Sequence, residues 1–195
     1  MQYIEESVNL PVSEKLAFQV LSDVSLILRL SPYWSLKQFK PLSAGIPGTG
    51  SRFEAVIEHY EKKLTETIIL EIAEFYNNEK ISLKFEEGIL KQVNFAIERK
   101  SKGVRLTHQF LLDSEDESII KGSERELHYW LRSIGEYLKL SGGRGLYKVF
   151  SKWFMDKVWL RMTLSERKIA ITMVSISAIE IILLLVMILI WKLFA

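Results

Sequence analysis

The acid–base chemistry open to this sequence rests on three histidines, His59, His108 and His128, and on a carboxylate, Glu66, spaced seven residues after the first. If strand parity holds, His59, Glu66 and His108 fall on one face of a sheet among apolar neighbours. A histidine and a carboxylate converging there would form an acid/base pair, because burial and the partner both perturb their pKa values. Two other readings stay open: a core imidazole that satisfies a local hydrogen bond, and, for His108, a hydrogen bond that orients a ligand. No catalytic residue is assigned.

Metal chemistry is weaker, since the three histidines lie on separate predicted elements without HxH or HExxH spacing. Glu115-Asp116-Glu117 lacks the alternating acidic loop and glycine of a calcium site and reads as a solvated turn. Pro47-Gly48-Thr49-Gly50 is too short to cradle a phosphate and has no Lys-Ser/Thr after it, so it reads as a turn. The chain has no cysteine, which excludes disulfide and thiolate chemistry and permits a reducing compartment. No metal and no cofactor are expected.

The elements that would position these residues follow from periodicity. Residues 2–10 alternate apolar and polar as a strand; Ser13 is a plausible N-cap for a helix through Asp23, and a second short helix covers 23–30. Strands are predicted at 33–42, 51–62, 64–76, 79–87, 89–100 and 103–113. Gly48-Thr49-Gly50, Asn77-Asn78, Gly88 and Lys102-Gly103 separate most of them, as in an antiparallel meander. From 118 to 140 the period becomes helical, with Leu127, Trp130, Leu131, Ile134 and Leu138 on one face. The simplest way to bury both apolar faces is a curved, seven-stranded antiparallel sheet wrapped around that long helix, an α+β fold.

Parity turns Phe53, Ala55, Ile57 and His59 inward, with Ile68, Leu70 and Ile72 beside them; Ile81, Leu83, Phe85, Val93, Phe95, Ile97, Leu106, His108, Phe110 and Leu112 complete the face. On VNLPVSEKLAFQVLSD at 8–23, IPGTGSRFEAVI at 46–57 and the helix at 123–140, the chain resembles the SRPBCC superfamily. That is the helix-grip fold of START lipid-transfer domains, birch-pollen-type allergens and polyketide cyclase-like proteins. The resemblance covers residues 1–141. It implies a cavity between sheet and helix that receives a lipid, sterol, quinone or polyketide, lined here by Phe53, Ile57, His59, Glu66, Ile68, Leu70, Leu83, Phe85, Phe95, Leu106, His108 and Phe110, with Trp130 and Ile134 from the helix.

The remaining chain has a different character. Residues 1–143 hold 18 Lys/Arg and 21 Asp/Glu, a net −3, whereas residues 144–168 hold 7 and 2, a net +5. That basic segment adjoins an apolar stretch, which favours anionic lipid over nucleic acid as its partner. Residues 169–191 carry one charge, Glu180, in 23 residues, and a spanning helix needs roughly 20 apolar residues. The excess of Lys and Arg before the span predicts a cytoplasmic N-terminal side, and Met1–Asn9 shows no signal-peptide pattern. The sequence therefore predicts a single-pass, tail-anchored cell-membrane protein.

Between domain and span, residues 142–168 read as a glycine hinge (Gly142, Gly143, Gly145) and an amphipathic helix. Its Lys148, Lys152 and Arg161, with Trp153, Phe154 and Trp159, suit the headgroup region. Glu180 shares a heptad face with Ala170, Met173, Ser177, Leu184 and Met187, which either drives helix association with a partner or a second copy, or simply tolerates one carboxyl group. Three functional classes follow: binding or transfer of a lipid or isoprenoid quinone, an anchored interaction scaffold without ligand, and a cyclase- or hydrolase-like enzyme.

Overall fold

The computed structural model describes residues 1–59, 64–143, 145–162 and 164–194, with the side chains at 146, 164, 168, 185 and 188–194 outside the description. Its order is β1 (Gln2–Leu10), α1 (Glu14–Leu21), α2 (Val24–Arg29), β2 (Trp34–Pro41), β3 (Arg52–His59), β4 (Thr65–Tyr76), β5 (Lys80–Phe85), β6 (Leu90–Lys100), β7 (Gly103–Leu112), α3 (Glu117–Ser141), α4 (Leu146–Lys157), a 3-10 turn at Trp159–Arg161, and α5 (Leu164–Phe194). The predicted strand ends at 60–63, and Arg144 of the predicted basic segment, lie outside the described residues.

Seven antiparallel strands form one sheet in the order β1-β7-β6-β5-β4-β3-β2, so that α1 and α2 carry the chain from one sheet edge to the other. Register shifts between Leu36 and Gln38, Ile72 and Glu74, and Leu90 and Gln92 insert bulges that bend the strands. The bent sheet holds α3 against its inner face. Leu127, Trp130, Leu131, Ile134 and Leu138 are buried there, as their helical spacing predicts, and Tyr137 joins them. On the outer face, a polar ladder runs across β6, β7 and β1: Gln92 donates to Asn94, Asn94 to Gln109 and Gln109 to Glu5.

Local chemistry fixes the joints. Ser13 accepts from the Leu16 amide at the start of α1, Asp23 from Leu26 at the start of α2, and Asp116 from Ser118 at the start of α3. The β6–β7 hairpin turns at Gly103, whose φ of 134° and close approach to the Leu10 carbonyl leave no room for a Cβ.

The tail departs from the sequence expectation in one respect. α5 is a helix of 31 residues, yet among the described residues no helix is long and apolar enough to cross a membrane. Residues 185 and 188–191 of the predicted span lie outside the described side chains, so the structure does not carry the transmembrane assignment. Glu180, predicted as the one polar residue within the span, stands exposed on α5 with Met173, Ser177, Leu184 and Met187 of its heptad face, while Ala170 is half-buried.

Candidate functional site: the sheet–helix interior

Many of the strand residues assigned inward by parity are buried in one core with residues of α3. Phe53, Ile57, Leu70, Leu83, Phe85, Phe95, Leu106 and Phe110 are buried with Trp130 and Ile134 of α3, while Ile68 is half-buried. At the centre lies His108, wholly removed from solvent. Its imidazole stacks on Phe95 with centroids 4.5 Å apart and meets Phe110 and Trp130 edge-on at 5.0 and 5.2 Å. Aromatic edges and faces pair well in such arrangements. The rings thus fill the interior around residue 108.

Among the described residues neither ring nitrogen of His108 finds a hydrogen-bond partner of good geometry, although each is buried. Burial pushes its pKa down to about 3, with the Leu127 backbone opposing that shift weakly. His108 is therefore neutral across the physiological range, a hydrogen-bonding group without a strong protein partner. Buried polar groups in folded proteins are nearly always satisfied, which sets His108 apart from the rest of this interior.

His59 and Glu66 come together as their parity predicts, at a different place from His108. The β3–β4 register sets Ile57 opposite Glu66, and His59 Nε2 lies 3.1 Å from Glu66 Oε2, with both side chains partly exposed. The two histidines connect only through rings: His59 meets Trp34 at 6.1 Å, Trp34 meets Trp130 at 5.1 Å, and Trp130 meets His108. A proton could pass between His59 and Glu66 at the rim, but no path among these contacts couples that pair to His108. His128 sits on the flank of α3, where Nδ1 lies 2.8 Å from Glu6 Oε1 of β1. Among the described residues no cluster of three or more His, Asp or Glu could hold a metal ion.

Two residues outside the sequence expectation shape this interior. Trp34 opens β2 and donates its indole N–H to the Leu28 carbonyl at 3.1 Å, while Trp130 donates to the Ile27 carbonyl at 3.0 Å. Both tryptophans thus hold carbonyls at the end of α2 against the core. Tyr137 is the other; its position seven residues after Trp130 places it on the same helix face and is a signal the sequence does contain.

α4 presents its two faces differently from the expectation that its basic stripe meets lipid. Tyr137 Oη donates to Asp156 Oδ1 at 2.6 Å, and Lys152 donates to both Tyr137 and Asp156. Lys152 is consequently turned toward α3. Burial lowers its pKa, but Asp156 and Tyr137 outweigh that effect and leave it raised. Tyr147, Val149, Phe150 and Trp153 point outward, 81%, 65%, 62% and 53% exposed, with Phe154 beside them and Lys148 exposed. Trp159 is half-buried, with the Arg167 guanidinium 5.8 Å from its ring, and Arg161 is exposed.

Neither a protein-family model nor a curated protein matches the chain. Solved structures do. A protein from Nitrosomonas europaea superposes with a TM-score of 0.57 at 12% identity, over 71% of this chain and 95% of that one. The AHSA1-like protein from Aeromonas hydrophila gives 0.53 at 12% identity, over 72% and 94%, and the Aha1 dimer from Colwellia psychrerythraea gives 0.53 at 13%, over 73% and 100%. At such identities the likeness is one of architecture: this chain has the helix-grip fold, a curved seven-stranded antiparallel sheet closed around a long helix.

Proposed function

We propose that the chain is a membrane-anchored helix-grip module that binds a hydrophobic small molecule, a lipid or an isoprenoid quinone, without chemical turnover. The observation that carries the reading is His108, whose two orphaned nitrogens sit at the centre of an otherwise apolar interior. A ligand bearing one hydroxyl or carbonyl would satisfy an imidazole nitrogen there, and its hydrocarbon body would replace aromatic contacts of the same character. Entry requires the Trp130 face of α3 to move away from Phe95 and Phe110.

Residues 169–191 contain one charge, and α5 displays Ile169, Ile171, Met173, Val174, Ile176, Ile179 and Ile181 to solvent on all sides. A helix apolar all round is either buried in protein or immersed in lipid. The outward aromatic face of α4 supports the same placement, since Trp and Tyr favour the membrane interface. With the basic excess preceding the span, the helix-grip domain lies on the cytoplasmic side of the cell membrane, where ligand passes from bilayer to protein without crossing bulk water.

Packing around His108 favours a second reading, in which the filled interior is a scaffold and the anchored chain serves protein contacts. Lipid extraction separates the two. The full chain, purified in mild detergent, is compared by mass spectrometry with His108→Phe and with Leu83→Trp, which overfills the interior. The binding reading expects one lipid or quinone enriched in the wild type and lost from both variants. No enrichment over the detergent background would sink it and leave the scaffold.

A further inference from the structure

Two cavities lie outside the helix grip and meet beneath α4. One, of about 730 Å³, is bounded by α1 and α2 on one side and by Lys152, Asp156, Leu160 and Arg161 on the other. The second, of about 460 Å³, is walled mainly by Leu30, Pro32, Leu140, Met155, Trp159 and Ile171, with Ser31, Ser133, Glu136 and Arg167 also in its lining. They share Arg29, Tyr137 and Leu160. A pocket lined by three cations and two carboxylates thus adjoins a mainly apolar one.

Charges in the first cavity are unevenly satisfied. Lys152 is bound to Asp156, and Asp23 caps α2 by accepting from Leu26. Arg29 has a long hydrogen bond to the Leu160 carbonyl at 3.5 Å. Among the described residues neither Arg29 nor Arg161 has a carboxylate within ion-pair reach. They are close enough to repel: burial first, then Arg161, lowers the Arg29 pKa, and Asp23 offsets this only in part. Arg29 and Arg161 thus line one cavity with no carboxylate in ion-pair contact with either among the described residues, and their planar forks match the oxygens of a phosphate.

We propose that this cleft binds the phosphate of an anionic glycerophospholipid between Arg29 and Arg161, with acyl chain lying in the adjoining apolar cavity. The occupant is a lipid rather than free phosphate because the apolar cavity begins at Arg29 itself. Position agrees: Ile171, near the start of the apolar run of α5 that begins at Ile169, lines the apolar cavity. If α5 spans the bilayer, that places the cleft beside the headgroup layer. The inference therefore rests on the membrane reading above, and the two fail in different measurements.

Native mass spectrometry of the full chain in neutral detergent, titrated with phosphatidylglycerol, phosphatidylcholine or inorganic phosphate, tests the cleft. Retention of phosphatidylglycerol over the other two is expected, weakened about tenfold for each charge-assisted contact removed in Arg29→Gln and Arg161→Gln. Arg29→Lys, which keeps the charge and loses the fork, should fall between. Lys121→Gln, at the far end of α3, should change nothing, and near-UV circular dichroism of each variant reports its folding. Equal retention of inorganic phosphate and phosphatidylglycerol, or unchanged retention in the double variant, would overturn the proposal. Flotation with phosphatidylcholine vesicles reports on the anchor separately: a chain that stays unbound there while still retaining phosphatidylglycerol in detergent refutes the anchor and keeps the cleft.

Discussion

At residue 108 the fold holds a neutral imidazole where an uncharged ring of any kind would pack, and acid exposes the difference. The folded pKa of about 3 lies below the ordinary value of 6.5, so between those pH values the unfolded chain binds a proton that the folded chain refuses. Stability consequently falls as pH drops through that window, by up to about 1.4 kcal/mol per pH unit, and His108 contributes no slope above it. His108→Phe removes both the slope and two unsatisfied nitrogens. Thermal unfolding of the detergent-solubilised chain should show the variant at least as stable as wild type at neutral pH, with the gap widening in its favour toward pH 4. Parallel pH profiles would contradict the assignment of a buried, neutral His108. Strand parity alone places His108 among apolar neighbours. What it does not reveal is that His59 and Glu66 pair at the rim while His108 sits apart, because which end of a strand meets water depends on how the sheet bends.

Among the elements, the strands and α3 follow their sequence signals closely, since Asn77-Asn78, Gly88 and Gly103 mark turns and the apolar spacing of α3 defines its buried face. α4 is less legible. Aromatic and basic residues share its surface so evenly that periodicity does not choose the inward side; the choice is made by Tyr137 on α3, distant in sequence, through its bond to Asp156. That contact also clasps α4 to α3 across the glycines expected to act as a hinge. Gly142 itself ends α3 with little space to spare, for a Cβ there would lie 3.1 Å from Val12 Cγ1. Tyr137→Phe removes the donor to Asp156 and leaves the ring in place. Amide exchange across residues 146–157 should accelerate by about fivefold to tenfold, as loss of a hydrogen bond worth about 1 kcal/mol implies, or somewhat more because the acceptor is charged. Exchange in β6 and β7 should stay unchanged. Unaltered exchange in α4 would mean that apolar contacts of Met155 and Leu160 hold the helix without the clasp.

For the molecule as a whole, the question is what covers α5. Among its described side chains, Ile169, Met173, Val174, Ile176, Ile179, Ile181, Ile182, Leu183, Leu184, Val186 and Met187 are exposed, and Ile171 stands at the edge of the apolar cavity. Water is a poor environment for so many exposed isoleucines and leucines, each of which gains roughly 1.5–3 kcal/mol on transfer to an apolar surrounding. Lipid supplies that surrounding along the full length, at a cost of about 2.5–3.5 kcal/mol for Glu180 if it enters charged. On the proposed anchoring, this balance is what would hold α5 in the bilayer. Because the chain contains no cysteine, single substitutions give a clean map of its orientation. Ser118→Cys, at the start of α3, should react with a membrane-impermeant maleimide only after cells are permeabilised, whereas Lys192→Cys should react in intact cells. If both positions label only after permeabilisation, α5 does not cross, and its apolar surface is then covered by a protein partner, the outcome that would promote the scaffold reading over ligand delivery from the bilayer.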